Sequence, residues 1–334
     1  MIRLRTPRWW YRRGAAPRLA RALAPLSRVW ADRTAARLRR VTPREVGAPV
    51  VCVGNLTVGG SGKTPTAMAI ARLLEEAGMR PVLLASGYGG RLRGPVLVNG
   101  ARHSAAEVGD EALLMTHARP VVVSRDRLAG ARLAVASGGD VVVMDDGHQN
   151  PALAKALSLV VVDGETRDGE WPFGDGGVIP AGPLREPLAA GLVRADAVVV
   201  LLPADVTVAD ADLLAVFAGK PVWIARWIAA APPPGRQVGF AGIAKPWRVE
   251  RALRAAGCDL VAFEPFADHA PIPEAALRRL AARAERAGAS LITTEKDWMR
   301  LSPGWRERVA AWPARVVFDD EAVVSAALRA ARRR

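Results

Sequence analysis

The chain has 334 residues, half of them hydrophobic, with 47 Lys and Arg against 33 Asp and Glu for a formal net charge of +14 at pH 7. That length and apolar content exclude a disordered or fibrous chain and suffice for one large α/β domain or two lobes with complete cores. The two cysteines, Cys52 and Cys258, have neither disulfide-framework nor metal-site spacing. The charge calls for an anionic partner: a membrane surface, a phosphorylated substrate or nucleic acid.

Arginine is concentrated in residues 1–45, interleaved with Trp9, Trp10, Tyr11 and Trp30. Leu19, Leu23, Leu26 and Trp30 fall at i, i+4, i+7 and i+11, one face of a helix, with Arg21 and Arg28 opposite. No apolar run approaches the ~20 residues of a membrane span, and no secretory signal core is present. A basic amphipathic helix with aromatic anchors suits an anionic membrane surface. Packing of its apolar face on the main domain and contact with nucleic acid are the alternatives. Pro25 predicts a kink.

The β-branched run Val50–Val53 ends at Gly54-Asn55-Leu56-Thr57-Val58-Gly59-Gly60-Ser61-Gly62-Lys63-Thr64, and a helix is expected over 65–77. Strand, glycine-rich loop and helix N-terminus are what a phosphate cradle requires: backbone N–H groups turned toward an anion and a favourable helix dipole. Residues Thr57, Val58, Gly59, Gly60, Ser61, Gly62, Lys63 and Thr64 are therefore the nucleotide-binding candidates. Lys63 would reach the β- and γ-phosphates, and the Thr64 hydroxyl would bind Mg²⁺. The common G-x-x-x-x-G-K-[ST] pattern places its first glycine at Thr57; Gly59 and Gly60 supply flexibility two residues later.

Downstream, apolar runs at 81–85, 120–124, 141–144, 159–162 and 197–202 alternate with helical segments. Strands without polar alternation, separated by helices, predict a parallel sheet covered on both faces, as in P-loop NTPases. A P-loop core over 46–230 is followed by the linker candidate Ala231-Pro232-Pro233-Pro234-Gly235. A smaller α/β lobe is expected over 231–334, with strands near 238–240, 260–263 and 291–294 and helices starting near Pro246 and Pro273. Ligands of such sheets bind beyond the carboxyl ends of the strands, so the active site is expected in a cleft between the lobes.

Val141 to Met144 followed by Asp145-Asp146 has the form of a strand that delivers carboxylates beside the P-loop, where they hold Mg²⁺ directly or through water. Asp110 and Glu111 open a predicted helix, where N-capping alone accounts for them. Arg185 and Glu186 lie in the proline-rich loop 180–187. The arginine could stabilise transferring charge and the glutamate could join a Mg²⁺ shell, or the pair could be a solvated surface turn. His269 is a candidate base or a structural histidine. Thr294-Glu295-Lys296-Asp297 sits at a strand end, with no role assignable from its chemistry.

Taken together, Val53 to Pro65, Gly87-Tyr88-Gly89-Gly90, Val108-Gly109-Asp110-Glu111, Asp145-Asp146-Gly147-His148-Gln149, Pro180 to Pro187, Phe240-Ala241-Gly242-Ile243, Asp268-His269 and Thr294 to Asp297 resemble, in this order, the motifs of the tetraacyldisaccharide 4′-kinase family of Gram-negative bacteria. The resemblance implies transfer of the ATP γ-phosphate to the 4′-hydroxyl of a tetraacylated glucosamine disaccharide 1-phosphate, giving lipid IVA. It implies a monotopic enzyme on the cytoplasmic face of the inner membrane, whose partners are an acylated disaccharide phosphate lipid and an anionic membrane surface rather than nucleic acid. It also implies that Asp110 is the catalytic base, assisted by His269. Asp145, Asp146, Glu111 and Glu186 would then surround Mg²⁺ and the active site, with Arg185 beside the phosphates. The family usually carries Ser-Arg where this chain has Ala85-Ser86, an aromatic pair at Trp247-Arg248, and often Phe at His148. The rival readings are a P-loop ATPase or GTPase switch of the partitioning or metallochaperone kind, and a non-enzymatic module that binds anionic surfaces.

Overall fold

The computed structural model describes residues 7–14, 16–268 and 270–332. After a single 3₁₀ turn at Arg8–Tyr11, the elements in chain order are α1 (Arg18–Arg40), β1 (Val50–Gly54), α2 (Lys63–Glu76), β2 (Pro81–Ala85), β3 (Val96–Leu97), α3 (Ala105–Val108), α4 (Asp110–Met115), β4 (Val121–Val123), α5 (Arg127–Ala136), β5 (Val141–Asp145) and β6 (Leu157–Asp163). They continue with α6 (Leu188–Val193), β7 (Ala197–Pro203), α7 (Ala211–Ala215), β8 (Val222–Ala229), β9 (Arg236–Ala241), α8 (Pro246–Ala255), β10 (Asp259–Pro265), α9 (Glu274–Arg286), β11 (Ser290–Thr294), α10 (Glu295–Trp298), α11 (Pro303–Arg306), β12 (Val309–Trp312), β13 (Ala314–Phe318) and α12 (Glu321–Ala331).

Nine strands form one sheet in the order β13-β8-β7-β6-β1-β5-β2-β4-β3. Its interior pairs are parallel, and only the edge strands β3 and β13 run antiparallel to their neighbours. Every residue of β1, β2, β4 and β5 is buried, because helices cover both faces. Residues on one face, such as Val51, Val53 and Val143, pack with Ile70 and Leu74 of α2, while Cys52, Val142 and Met144 on the other pack with Ala131 and Ala134 of α5. The side-chain period of two, applied to strands that are apolar throughout, gives each face its own core.

A second, parallel sheet follows the order β10-β9-β11-β12. It carries Leu277 and Leu280 of α9 on one face and Leu253 of α8 on the other. The smaller lobe expected over 231–334 does not include the last strand and helix. β13 leaves the second sheet and pairs antiparallel with β8, from Ala314 opposite Ala229 to Phe318 opposite Ala225. This return covers an edge that would otherwise expose unpaired backbone groups, and Val316, Phe318, Val324 and Leu328 join the core around α2. The chain therefore crosses between the lobes twice, and the crossings are tied together: Ala230 N–H donates to the Pro313 carbonyl at 2.9 Å and Trp312 Nε1 donates to the Ala230 carbonyl at 2.9 Å.

Helix α1 is continuous through Pro25 over 23 residues. Its buried face consists of small residues, Ala20, Ser27 and Thr34, at a spacing of seven. Ser27 Oγ donates to the Val178 carbonyl at 2.7 Å and accepts from Ala181 N–H at 3.1 Å. Of the large apolar side chains expected to share one face, Leu19 and Leu26 are exposed and Leu23 is half-buried, while Trp30, half-exposed, reaches the main domain through Nε1, which donates to the Arg185 carbonyl at 3.0 Å; Val29 beside them is exposed as well. Among the described residues, no helix is long and apolar enough to cross a membrane.

Candidate active site

β1 ends at Gly54, the loop follows, and α2 begins at Lys63. Gly62 caps the helix with φ +83°, and a Cβ there would stand 2.2 Å from Leu201 Cδ2, so the turn requires glycine. Asn55, fully buried, donates from Nδ2 to the Thr57 carbonyl at 2.7 Å and to Ser61 Oγ at 2.8 Å, bracing the loop from within. The loop 180–187 braces it from outside: Val58 N–H donates to the Pro183 carbonyl and Arg185 N–H to the Leu56 carbonyl, each at 2.8 Å. The expected nucleotide-binding residues are thus one pre-formed turn at a helix N-terminus, whose first N–H groups lack intrahelical acceptors.

The carboxylates beyond β5 diverge. Asp145 Oδ2 accepts the Thr64 hydroxyl at 2.9 Å, while its buried Oδ1 has no hydrogen-bond partner among the described residues. Burial, reinforced by the charges of Glu111 and Asp146, pushes Asp145 up to about 7, against the opposing pull of Lys63 and Thr64. Asp146, at a positive φ of 51°, turns the other way. Arg185 grips it with two bonds, Nη1 to Oδ1 at 2.8 Å and Nη2 to Oδ2 at 3.2 Å, and Lys63 Nζ lies 3.9 Å from Oδ1. Burial would raise Asp146, but Lys63 and Arg185 outweigh it and hold the group at about 2. Arg185 Nε also donates to the Thr57 carbonyl at 3.1 Å, which ties the phosphate loop to this pair.

Asp110 and Glu111 open α4, as expected, but the capping residue is Gly109 and Asp110 is buried. Its Oδ1 accepts the Glu111 N–H at 2.9 Å, and Arg300 Nε of the second lobe lies 3.7 Å from Oδ2. Lys296 Nζ, also from the second lobe, donates to Glu111 Oε1 at 3.0 Å and stands 3.9 Å from Asp268 Oδ1. Burial would lower the Lys296 ammonium, but the surrounding carboxylates Glu111, Asp110 and Asp268 raise it above the ordinary lysine value. The stretch Thr294 to Asp297 therefore supplies a cation to the cleft. Asp297, wholly buried, accepts from the Thr294 hydroxyl at 2.7 Å and Gly242 N–H at 2.9 Å and pairs with Arg300.

Glu186 lies apart from Thr64 and Asp145 in its bonding: its carboxylate is engaged by Arg194 at 2.6 and 2.7 Å and by Gln149 at 2.9 Å. The candidates for a shared Mg²⁺ shell are not gathered into one cluster, since Asp146 is held by Arg185, Glu111 by Lys296 and Glu186 by Arg194. Among the described residues, no three His, Cys, Asp or Glu side chains stand together as a metal cluster. His269 lies outside the described residues. His148 is buried with its ring between Ser158 Oγ at 3.2 Å and the Gly191 carbonyl at 2.9 Å, and burial, then the Arg194 charge, lower it to about 4.

Three residues escaped the sequence reading. Buried Arg127 donates to the carbonyls of Leu84 at 3.2 Å and Asp145 at 2.8 Å, fixing the ends of β2 and β5 behind the site. Arg300 reaches Asp110 across 190 residues of sequence, which no local pattern reports. Tyr11 hydrogen-bonds to the phosphate loop; the aromatic cluster around it was visible only as a surface anchor.

Comparison with known proteins matches this arrangement. Residues 19–333 match the family described as tetraacyldisaccharide-1-P 4′-kinase. The chain is 60% identical over 328 residues to the tetraacyldisaccharide 4′-kinase of Phenylobacterium zucineum, covering 97% of this chain and 98% of that one. It is 58% identical over 331 residues to that of Caulobacter vibrioides, covering 98% and 99%. The crystal structure of LpxK from Aquifex aeolicus in complex with ATP superposes with a TM-score of 0.73 at 27% identity, over 94% of this chain and 99% of that one. A P-loop sheet, a carboxylate-rich cleft between two lobes and full-length similarity agree: the chain belongs to the tetraacyldisaccharide-1-P 4′-kinase family.

Proposed function

We infer that this chain transfers the γ-phosphate of ATP to the 4′-hydroxyl of a tetraacylated glucosamine disaccharide 1-phosphate, forming lipid IVA. The observation that carries the reading is the meeting of two chemistries where the lobes face each other: a phosphate loop headed by Lys63 and Thr64, and, on the same lobe, the buried carboxylate of Asp110 at the start of α4, met by Arg300 of the second lobe. A sugar hydroxyl is a poor nucleophile, so Asp110 accepts its proton as the oxygen attacks, with His269 assisting. Lys63, Arg185 and the loop amides neutralise charge on the transferring phosphoryl group. Asp146 holds Arg185 and Lys63 at the loop before ATP arrives.

The donor set suits Mg²⁺, which favours hard oxygen ligands completed by water and phosphate. Thr64 and Asp145 would hold it, because Asp145 presents an unengaged buried oxygen. A Mg²⁺ held there would supply positive charge to the triphosphate. Glu111 contributes its charge to this site while Lys296 restrains it, and Glu186 supports the loop through Arg194 and Gln149.

The exposed residues Leu19, Leu26, Val29 and Trp30, set among the arginines of α1, support docking on the anionic cytoplasmic face of the inner membrane, where the acylated acceptor resides. The direct test is incubation of the detergent-solubilised protein with γ-labelled ATP, Mg²⁺ and the tetraacylated disaccharide 1-phosphate. Label is expected in the lipid, falling about a hundred- to ten-thousand-fold in rate for Asp110→Asn. Label that persists in Asp110→Asn would remove Asp110 as the base; ATP hydrolysis without labelled lipid would sink the acceptor assignment.

A further inference from the structure

The N-terminal segment does more than approach a surface. Tyr11 is buried, although Arg8, Arg12 and Arg13 around it are exposed. Its backbone is fixed on both sides: Trp171 N–H donates to the Tyr11 carbonyl at 2.6 Å, and Arg12 forms an antiparallel bridge with Glu170. The ring is thereby aimed at the phosphate loop. Its hydroxyl donates to the Val58 carbonyl at 2.9 Å. At Gly59, with φ +100°, a Cβ would stand 2.6 Å from that hydroxyl, so loop and ring are in direct contact.

The second lobe reaches the same ring. Lys245 Nζ lies 4.3 Å from the Tyr11 ring centroid, within cation–π range, and is oriented by Asp163 at 2.8 Å and Glu170 at 3.3 Å. Val58 is thus clamped on both sides: its N–H donates to the Pro183 carbonyl and its C=O accepts from the Tyr11 hydroxyl. This loop departs from the common pattern with Thr57 in place of glycine and a Gly59-Gly60 doublet after it. A doublet of glycines gives the backbone freedom that must be lost when N–H groups converge on phosphate. Holding it beforehand lowers that ordering cost.

We propose that Tyr11 is a positioning residue of the nucleotide site, bracing Val58–Gly59 from the N-terminal segment, so that this segment governs affinity for ATP and not for the acceptor. The inference rests on the reading of this loop as the ATP site. It also makes the phosphate loop mechanically continuous with α1, which begins seven residues after Tyr11 and carries the exposed apolar face.

The test uses the full chain, with binding of a non-hydrolysable ATP analogue and Mg²⁺ measured by calorimetry alongside initial-rate kinetics. Tyr11→Phe keeps the ring under Lys245 and removes only the hydrogen bond. It should weaken analogue binding and raise KM for ATP by about three- to tenfold, with kcat and KM for the acceptor within about twofold of wild type. Tyr11→Ala should weaken ATP further. Arg13→Ala removes the neighbouring contact over Trp171 and the ion pair with Asp212, neither of which touches the loop, and should leave both KM values unchanged. Unchanged ATP affinity in Tyr11→Phe, an equal loss in Arg13→Ala, or a loss confined to the acceptor would each overturn the brace. A wild-type protein that binds no analogue would overturn the nucleotide reading and the brace with it.

Discussion

Two clusters of buried carboxylates flank the phosphate loop, and they are built to opposite ends. Asp163 at the end of β6 and Glu170 are met by Lys245 and Arg248 of the second lobe, at 2.8 Å from Lys245 to Asp163 and 2.6 Å from Arg248 to each Asp163 oxygen. Burial opposes ionisation there, but Lys245 and Arg248 override it and hold Asp163 well below the usual carboxylate range. At the end of β5, Asp145 faces burial and two like charges that Lys63 and the Thr64 hydroxyl do not offset, and rises to about 7. The first cluster is electrostatically complete and fastens the lobes. The second is incomplete in the protein alone, and under the proposed function a bound cation would complete it.

The largest test of that contrast is Asp163→Asn. It leaves Lys245 and Arg248 buried with one carboxylate fewer, which should cost about 3–5 kcal/mol in a denaturant titration while kcat at low temperature stays near wild type. A stability loss under 1 kcal/mol would show the lobes are fastened elsewhere.

Asp145→Asn should do the reverse. A carboxylate raised in the folded state contributes a penalty that is absent below its unfolded value, grows as pH rises toward about 7 and is complete above that. Removing it should stabilise the nucleotide- and metal-free protein by on the order of 2 kcal/mol at pH 8, with no gain at pH 4. Activity should fall about a hundredfold or more. A melting temperature that is lower at pH 8 than wild type would reject the assignment.

The smallest effect isolates pH itself. His148 is lowered in the folded state, so it favours folding above about 6.5 and that contribution is lost as pH falls toward 4. Its loss opposes the gain from protonating Asp145 over nearly the same window. His148→Phe should remove about 1–2 kcal/mol of acid sensitivity between pH 7 and 5, leaving the Asp145 gain exposed as a rise in stability on acidification. An unchanged slope would place the titration on other groups.

What was legible in the sequence follows from range. The phosphate loop, β1, β2, β5 and the starts of α8 and α9 are local patterns of β-branched runs, glycines and prolines, and they read correctly. β8 was not foreseen, because Arg226 interrupts its otherwise apolar run. The return of β13 to the larger sheet depends on an edge formed 85 residues earlier in the chain at Ala229. In the site, Thr64 and Asp145 were expected together and are. The separation of Asp145 from Asp146 was not, because it turns on one positive φ that places neighbouring carboxylates in different electrostatic surroundings. The role of Lys296 was invisible for the same reason as that of Arg300: each acts on a carboxylate of the other lobe.

The paired crossings at Ala230 and Trp312-Pro313 restrict how the two bodies can turn. A single strand of linker would allow swivel about any axis, whereas adjacent, hydrogen-bonded connections leave chiefly one rotation, about the line through them. Cleavage within Pro232–Gly235 should therefore leave the two fragments associated and their bearing intact, visible as one peak in size-exclusion chromatography of the nicked protein. Any rotation of one lobe against the other would in this sense be a pivot with its direction written into the chain path.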